Sequence, residues 1–385
     1  MIDESVRLDI DELAAIERGS TGPGEHRAAA RIVEMLGVRG VRAHVEHEPA
    51  VGDYWRATGI ATALAALAGL RERPRLATAV VAGAAAALIA DDVDGGRHIL
   101  RGVLPRRSAA NVVAWTGDPA GERTVVLVAH HDSARTGLLF HPGLIPAVSR
   151  IAPRAYERQR TSTQTGRLMV AGPALVAVGA LLGRRSLRRA GVLWSAVTAA
   201  LMLDVERSAV VPGANDNLSA VAVLLALAGE LADDPPPGVR VLLVSTGSEE
   251  SFMEGMRGFV ARHRGALDPA TTNVVAIECV GSPHLAIVEG EGMLRIREYD
   301  RELRDGLQAA ADRRGIPVWR GLRLGAGATD ALPALLAGYP AACLAAVTDL
   351  KTPSNYHWPS DVPENLDWGT IDQAAQVLRG LIRDR

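Results

Sequence analysis

Apolar and polar positions follow a strand-and-helix rhythm along most of the chain. From residue 205 onward, short runs of Val, Ile and Leu alternate with stretches whose apolar residues recur at helical spacing. Strands are expected at 239–245, 273–278, 285–288 and 341–346, and helices at 218–231, 254–263, 300–313 and 368–383. The N-terminal part adds helices at 7–18 and 25–37, parted by Ser20-Thr21-Gly22-Pro23-Gly24, and strands at 41–48, 110–115 and 124–129. Asp9 and Glu25 fall near those helix starts, where a negative charge is favourable, and Gly37 and Gly40 end the second helix. Such apolar strands alternating with helices predict an α/β fold: three layers, with a mostly parallel central sheet and helices on both faces.

Two places break the rhythm. Residues 57–70 and 76–90 are uncharged stretches of 14 and 15 residues joined by a basic turn at 71–75. Residues 168–183 and 190–203, 16 and 14 long, flank the Arg-rich 184–189. Each pair reads as an apolar helical hairpin inserted into the α/β body. The expected units are the body (1–50, 106–135 and 205–385), a hairpin insertion (51–105) and a second insertion with a hairpin (136–204).

At about 1.5 Å per residue these stretches reach ~21–24 Å, short of the ~30 Å hydrocarbon core of a bilayer. They nevertheless lack the polar face that a solvated hairpin needs. Membrane association through 57–90 and 168–203 is therefore favoured over a soluble cap or homo-oligomer interface. Tyr54 and Trp55 at one flank suit an interfacial belt, and the small residues suit close helix packing. If the hairpins span, the arginine tips face the cytoplasm and the body lies outside. The opening Met-Ile-Asp-Glu-Ser lacks the pattern of a cleavable signal peptide, so a membrane-associated location without such a peptide is expected over a cytoplasmic one.

Composition removes several function classes. With 42 basic against 44 acidic residues, a net charge of −2 and no RNP or zinc-finger pattern, no nucleic-acid partner is expected. Lys351 is the sole lysine, so there is no P-loop Gly-Lys-Ser/Thr, and Schiff-base chemistry would rest on that residue alone. Cys279 and Cys343 make neither a disulfide framework nor a zinc ribbon. The chain is 48% hydrophobic with 4% aromatics; its 385 residues bury a large core without staples.

The candidate chemistry sits where strands end. The strand at 124–129 runs into His130-His131-Asp132, a His with a carboxylate near enough to fix its tautomer. Gly213-Ala214-Asn215-Asp216-Asn217 opens a helix, either as an ordinary N-cap or as a carboxylate able to bridge two cations. Glu249-Glu250 follows a buried strand; adjacent carboxylates there repel unless a cation or shared proton compensates, or face solvent. Glu278 closes an apolar strand, and Tyr356-His357 precedes Asp361 in a loop. Each motif alone has a bland reading. Together they place two His and several carboxylates at the carboxyl ends of strands, where open α/β sheets form their sites. Mixed His/carboxylate ligation suits zinc.

In this order, His130-x-Asp132, Gly213-Ala214-Asn215-Asp216-Asn217, Glu249-Glu250, Glu278 and Tyr356-His357 resemble the M28 family of zinc metallopeptidases, co-catalytic aminopeptidases and related exopeptidases. The resemblance also takes in 19–36, 111–114 and 327–340. It implies a zinc exopeptidase-like fold and two zinc ions per chain. His130 and Glu278 would hold one, Glu250 and His357 the other, with Asp216 bridging. Glu249 would be the general base, Asp132 would orient His130, and Tyr356 would hydrogen-bond the oxyanion. The implied activity is hydrolysis of N-terminal peptide bonds, with a peptide as substrate. Amide deacylation, a glutaminyl-cyclase-like reaction and a non-catalytic membrane or peptide-binding relative are the alternatives. Two departures stand out: Glu278 replaces the more usual Asp, and Ser251-Phe252-Met253-Glu254-Gly255 replaces the usual Gly-Leu-x-Gly, which bears on the substrate pocket.

Overall fold

The computed structural model describes residues 2–70 and 74–384. The chain opens with α1 (Glu4–Ala14), α2 (Pro23–Val38) and β1 (Ala43–Ala50), followed by α3 (Trp55–Leu70) and α4 (Arg75–Val93). Then come β2 (Arg107–Gly117), β3 (Arg123–His130), α5 (Leu144–Ile151), α6 (Pro153–Arg158), α7 (Thr165–Leu181) and α8 (Arg185–Arg207). The body resumes with α9 (Ser219–Asp233), β4 (Val239–Thr246), α10 (Glu254–His263), β5 (Thr272–Glu278) and β6 (His284–Val288). It closes with β7 (Gly290–Glu291), β8 (Arg297–Glu298), α11 (Arg301–Asp312), β9 (Arg323–Leu324), α12 (Ala331–Leu336), β10 (Ala341–Val347) and α13 (Trp368–Arg383).

Seven strands form the central sheet in the order β1-β2-β4-β3-β5-β10-β6. Its middle, β4-β3-β5-β10, is parallel, whereas β2 runs antiparallel to both β1 and β4, and β6 antiparallel to β10. The fold is thus the expected α/β type with a mixed, largely parallel sheet. Side-chain alternation builds two cores. Val125, Leu127 and Ala129 of β3 point to the layer of α1, α2, α9, α11 and α13. Val126 and Val128 point to that of α10 and α12.

Local differences from the sequence reading have physical causes. Asp3, not Asp9, caps α1 by accepting from the Val6 amide; Asp9 lies mid-helix and pairs with Arg39 at 2.7 Å. The helix expected at 7–18 stops at Ala14 because Arg18 turns inward. Residues 71–73 of the first basic turn lie outside the described residues. In the second hairpin Arg185, Arg188 and Arg189 belong to the first turns of α8, so the turn itself is shorter.

The apolar helices α3, α4, α7 and α8 pack as one antiparallel ring. Its interior includes small residues such as Ala61, Ala65, Ala82 and Ala85. Gly191 shows how close the helices come: a Cβ there would lie 2.5 Å from the Val176 amide nitrogen. Tyr54 and Trp55 are buried at the base of this bundle, Tyr54 stacking on Phe252 with ring centroids 5.0 Å apart. They face the body, not a membrane interface as their flanking position suggests. The hairpins leave the body after β1 and after β3, whose carboxyl ends share one rim of the sheet. The bundle therefore rises beside the residues at those strand ends.

Candidate metal centre

The parallel strands bring their carboxyl ends into register: His130 of β3 lies opposite Thr246 of β4, and Glu278 of β5 opposite Ala345 of β10. His130 therefore sits next to the turn carrying Glu249 and Glu250, with Glu278 on the other side. Asp216 arrives from the turn before α9. Gly213 takes φ 60° there, and a Cβ on it would come within 2.6 Å of the Asp216 carbonyl. The peptide bond between Asp216 and Asn217 is cis.

Side chains of that turn stitch the site together. Asn217 donates to the Ile277 carbonyl at 2.8 Å and accepts from the Cys279 amide at 3.0 Å. Asn215 accepts from the Gly281 amide at 2.9 Å and donates to the Ser354 carbonyl at 3.0 Å. Asp361 accepts from the Asn215 and Asp216 amides at 2.6 and 3.1 Å. The turn thus acts by cross-bracing β5 and the His357 loop; it is not an ordinary N-cap, since α9 has no side-chain cap bond.

At the centre, the two oxygens of Asp216 face two different imidazoles. Oδ1 lies 3.2 Å from His130 Nε2 and Oδ2 lies 3.1 Å from His357 Nε2. Each imidazole has a further carboxylate: Glu278 at 3.6 Å from His130, and Glu250 at 3.3 Å from His357. Glu249 stands at 3.8 Å from His130 Nε2. Atoms of His130, Asp216 and Glu250 lie within 4.8 Å of one another, as do those of Asp216, Glu278 and Cys279. His130, Asp216, Glu249, Glu250, Glu278 and His357 therefore converge.

Asp132, fully buried, is the hub behind them. Its carbonyl and carboxylate lie 3.1 and 3.4 Å from His130 Nδ1. The carboxylate also accepts from the Glu249 and Glu250 amides at 3.0 and 3.2 Å and from the Ser20 hydroxyl at 2.6 Å. His357 is held differently. Its Nδ1 has no hydrogen-bond partner among the described residues, and its ring is fixed by stacking on Tyr356 at 3.9 Å and by Phe140 at 4.4 Å. Tyr356 is partly exposed, with its ring flat against that imidazole.

The electrostatics fit a cation. Burial raises Glu249 well above the usual carboxylate range, helped by Glu250, Asp330 and Glu278 and opposed by His130. Burial likewise raises Glu250 and Glu278. His130 resists burial and is raised instead by the carboxylates around it. So many desolvated carboxylates in one place are costly without positive charge. Oε1 of Glu250 and Nδ1 of His357 also lack partners among the described residues. The donor set, imidazoles and carboxylates with the Cys279 thiol beside them, fits zinc.

Several supporting residues escaped the sequence reading. Arg18 is buried and donates to the carbonyls of Leu13, Ile16, His131, Pro212 and Gly213 at 2.5–3.2 Å, clamping the His130 and Asp216 loops. Glu25 stands in the first turn of α2 as expected but is buried; it accepts from the Thr21, Ala110 and Ser248 amides at 2.8–3.0 Å. Burial and Asp132 raise its pKa to about 8. Asp330 accepts from the Thr246 hydroxyl, and burial raises its pKa to about 7. None carries a local signature, because burial of a charge is decided by distant segments.

Residues 199–382 match Peptidase family M28. Over that stretch the chain is similar to the family. The matched M28 segment contains Asp216, Glu249, Glu250, Glu278 and His357; His130 and Asp132 precede it, separated from it by α5 to α7 and the first half of α8. Among solved structures, the aminopeptidase from Aneurinibacillus sp. strain AM-1 is similar at 15% identity and TM-score 0.56, covering 98% of this chain and 92% of that one. BSAP, a zinc aminopeptidase from Bacillus subtilis, is similar at 13% identity and TM-score 0.55, covering 98% and 94%. A Bacteroides thetaiotaomicron glutaminyl cyclase bound to N-acetylhistamine is similar at 12% identity and TM-score 0.57, covering 99% and 97%. No curated protein sequence matches the chain. At these identities the structural likeness speaks to the fold.

A cleft of about 240 Å³ opens beside Glu250 and His357, walled by Tyr54, Trp55, Ser133 and Arg135. Two of these walls, Tyr54 and Trp55, come from the foot of α3. Phe140, which packs on His357, comes from the second insertion. Both insertions thus shape the approach to the site.

Proposed function

We propose that this protein is a zinc-dependent exopeptidase of the M28 type, most simply an aminopeptidase. The observation that carries the reading is Asp216 placed between two His–carboxylate pairs, one oxygen toward each imidazole. His130 and Glu278 would hold one zinc, Glu250 and His357 the other, with Asp216 shared. When bound, the ions would supply Lewis acidity and make a water acidic enough to ionise near neutral pH. Glu249, not needed as a ligand, takes the proton of the attacking water and returns it to the leaving amine. Asp132 holds the His130 ring and the Glu249 backbone in one frame. The Tyr356 hydroxyl, on the residue stacked against His357, donates to the developing oxyanion. The small cleft fits one N-terminal residue better than an extended chain, and its walls mix the aromatic Tyr54 and Trp55 with charged groups such as Arg135.

Glutaminyl cyclisation is the second reading. The same small cleft and the fold likeness to glutaminyl cyclases favour it. A peptide beginning with Gln separates the two: release of free Gln supports the aminopeptidase, and loss of ammonia with retention of the full chain supports the cyclase. Glu249→Gln should keep about two zinc per chain while lowering turnover by ~10²–10⁴-fold. A purified chain that retains no divalent metal, or a Glu249→Gln variant with wild-type turnover, sinks both.

A further inference from the structure

The bundle of α3, α4, α7 and α8 carries an inference that stands apart from the reaction. Its interior mixes alanines with a few large side chains such as Ile89, Val176 and Met202, while many of its large aliphatic side chains point outward. Leu64 and Leu67 on α3, Val80 on α4, Val178 on α7, and Leu193 and Val197 on α8 are 45–68% exposed. They sit on every helix of the ring, so the apolar surface surrounds the bundle instead of forming one face. A second copy of the chain would cover one side of such a ring; a solvent of acyl chains covers all of it.

Charge is sorted along the bundle axis. Residues 57–70, 76–90, 168–183 and 190–203 contain no charged residue, giving a band ~21–24 Å tall at about 1.5 Å per residue. At the tip, Arg75 packs over Gly183 of the neighbouring turn, close to Arg184, Arg185, Arg188 and Arg189, and no acidic residue stands there among the described residues. At the foot, charges are mixed and paired: Arg56 with Glu206 at 3.1 Å, and Arg101 with Asp92 at 2.6 Å. An arginine-rich tip, whose turn sequences hold Glu72 as their single acidic residue, beyond an uncharged wall complements anionic headgroups, with the long side chains extending the reach toward the ~30 Å of a hydrocarbon core. A separate element agrees. Helix α5 exposes Leu144, Val148 and Ile151 along one line, and arginines follow at 150, 154 and 158. The segment leading into it is tied to the bundle's foot by the Leu138 amide donating to Asp204 at 2.6 Å. A short amphipathic helix at that level suits a membrane surface.

We propose that the four-helix bundle is a bilayer anchor: its outer wall meets acyl chains, its arginine tip reaches the far headgroups, and α5 lies on the near surface. The test uses the full chain purified in mild detergent. Cys279 and Cys343 are buried, so Leu67→Cys offers a single reactive thiol for a nitrobenzoxadiazole fluorophore, and Val38→Cys on the body is the control. After reconstitution into phosphatidylcholine/phosphatidylglycerol vesicles, the protein should co-float at least tenfold enriched over a vesicle-free gradient and resist alkaline carbonate. The label at 67 should be quenched by nitroxide-bearing acyl chains at least several-fold more than the label at 38. A chain that stays in solution without detergent as a discrete dimer, with labels at 67 insensitive to nitroxide lipid, overturns the proposal and assigns the wall to a second copy. These readouts need neither zinc nor turnover, so their failure leaves the peptidase reading standing.

Discussion

The α/β body and the helical bundle solve burial in opposite ways. In the body, β3 and β4 bury branched aliphatic residues on both faces, and charge is kept to the strand ends. In the bundle, many alanines meet inside beside a few large residues such as Val176 and Met202, and most of the leucines face outward. Hydrophobic content alone therefore says little about where a core lies. The size of the residue turned inward distinguishes the two regions: large side chains fill the space beside a sheet, whereas alanine and glycine let helix backbones approach.

The sharpest break in this comparison comes at the strand ends. Asp216→Ala should abolish measurable hydrolysis and cut zinc retained after dialysis, read by metal analysis, because the carboxylate that lies against both imidazoles is lost. No single substitution on the bundle's outer wall should approach that effect. The next contrast concerns leucines. Leu127→Ala, fully buried in β3, should lose ~2–5 kcal/mol in denaturant unfolding. Leu67→Ala, half exposed on α3, should stay within about 0.5 kcal/mol; equal losses would erase the distinction. A third substitution reverses the sense of packing. Gly191→Leu adds bulk where a Cβ already meets backbone at 2.5 Å, and should destabilise by at least ~1–3 kcal/mol. The loss should appear as earlier proteolysis of the bundle.

The smallest effect is a pH dependence within the body. Glu291 is buried, accepts from the Thr329 amide at 2.7 Å, and has its pKa raised by burial to about 8 from the usual 4.5. Between those values the folded chain keeps a proton that the unfolded chain has released. Stability from this group is thus full below pH 4.5 and lost as pH rises through about 8. Glu291→Gln should flatten that decline and raise the melting temperature at pH 8 by a few degrees, on the order of 1 kcal/mol. A steeper decline in the variant would refute the assignment.

Much of this was legible in the sequence where chemistry and periodicity coincide. The strands ending at His130 and Glu278, the Glu249-Glu250 turn and the helix at 254–263 stand where their patterns place them. Strand direction was less legible: β2 and β6 are as apolar as their neighbours, only β1, with its His and Glu residues, reads as an edge, and antiparallel pairing depends on the connections. Tyr54 and Trp55 misled because an aromatic pair beside an apolar helix suits a membrane interface and a pocket wall equally well. Arg18, Glu25 and Asp330 were silent, since nothing within their own segments records that the rest of the chain closes over them.

The hydrogen bonds of Asp132 have a consequence for how substitutions combine. One carboxylate joins the ring of a proposed ligand, the backbone of the proposed base and of a second ligand, and the hydroxyl of Ser20. Those groups cannot shift independently. Asp132→Asn together with Glu249→Gln should therefore cost far less than the product of the two single effects, a thermodynamic cycle with coupling of ~0.5–3 kcal/mol. The site behaves as one cooperative unit whose parts share a single structural debt.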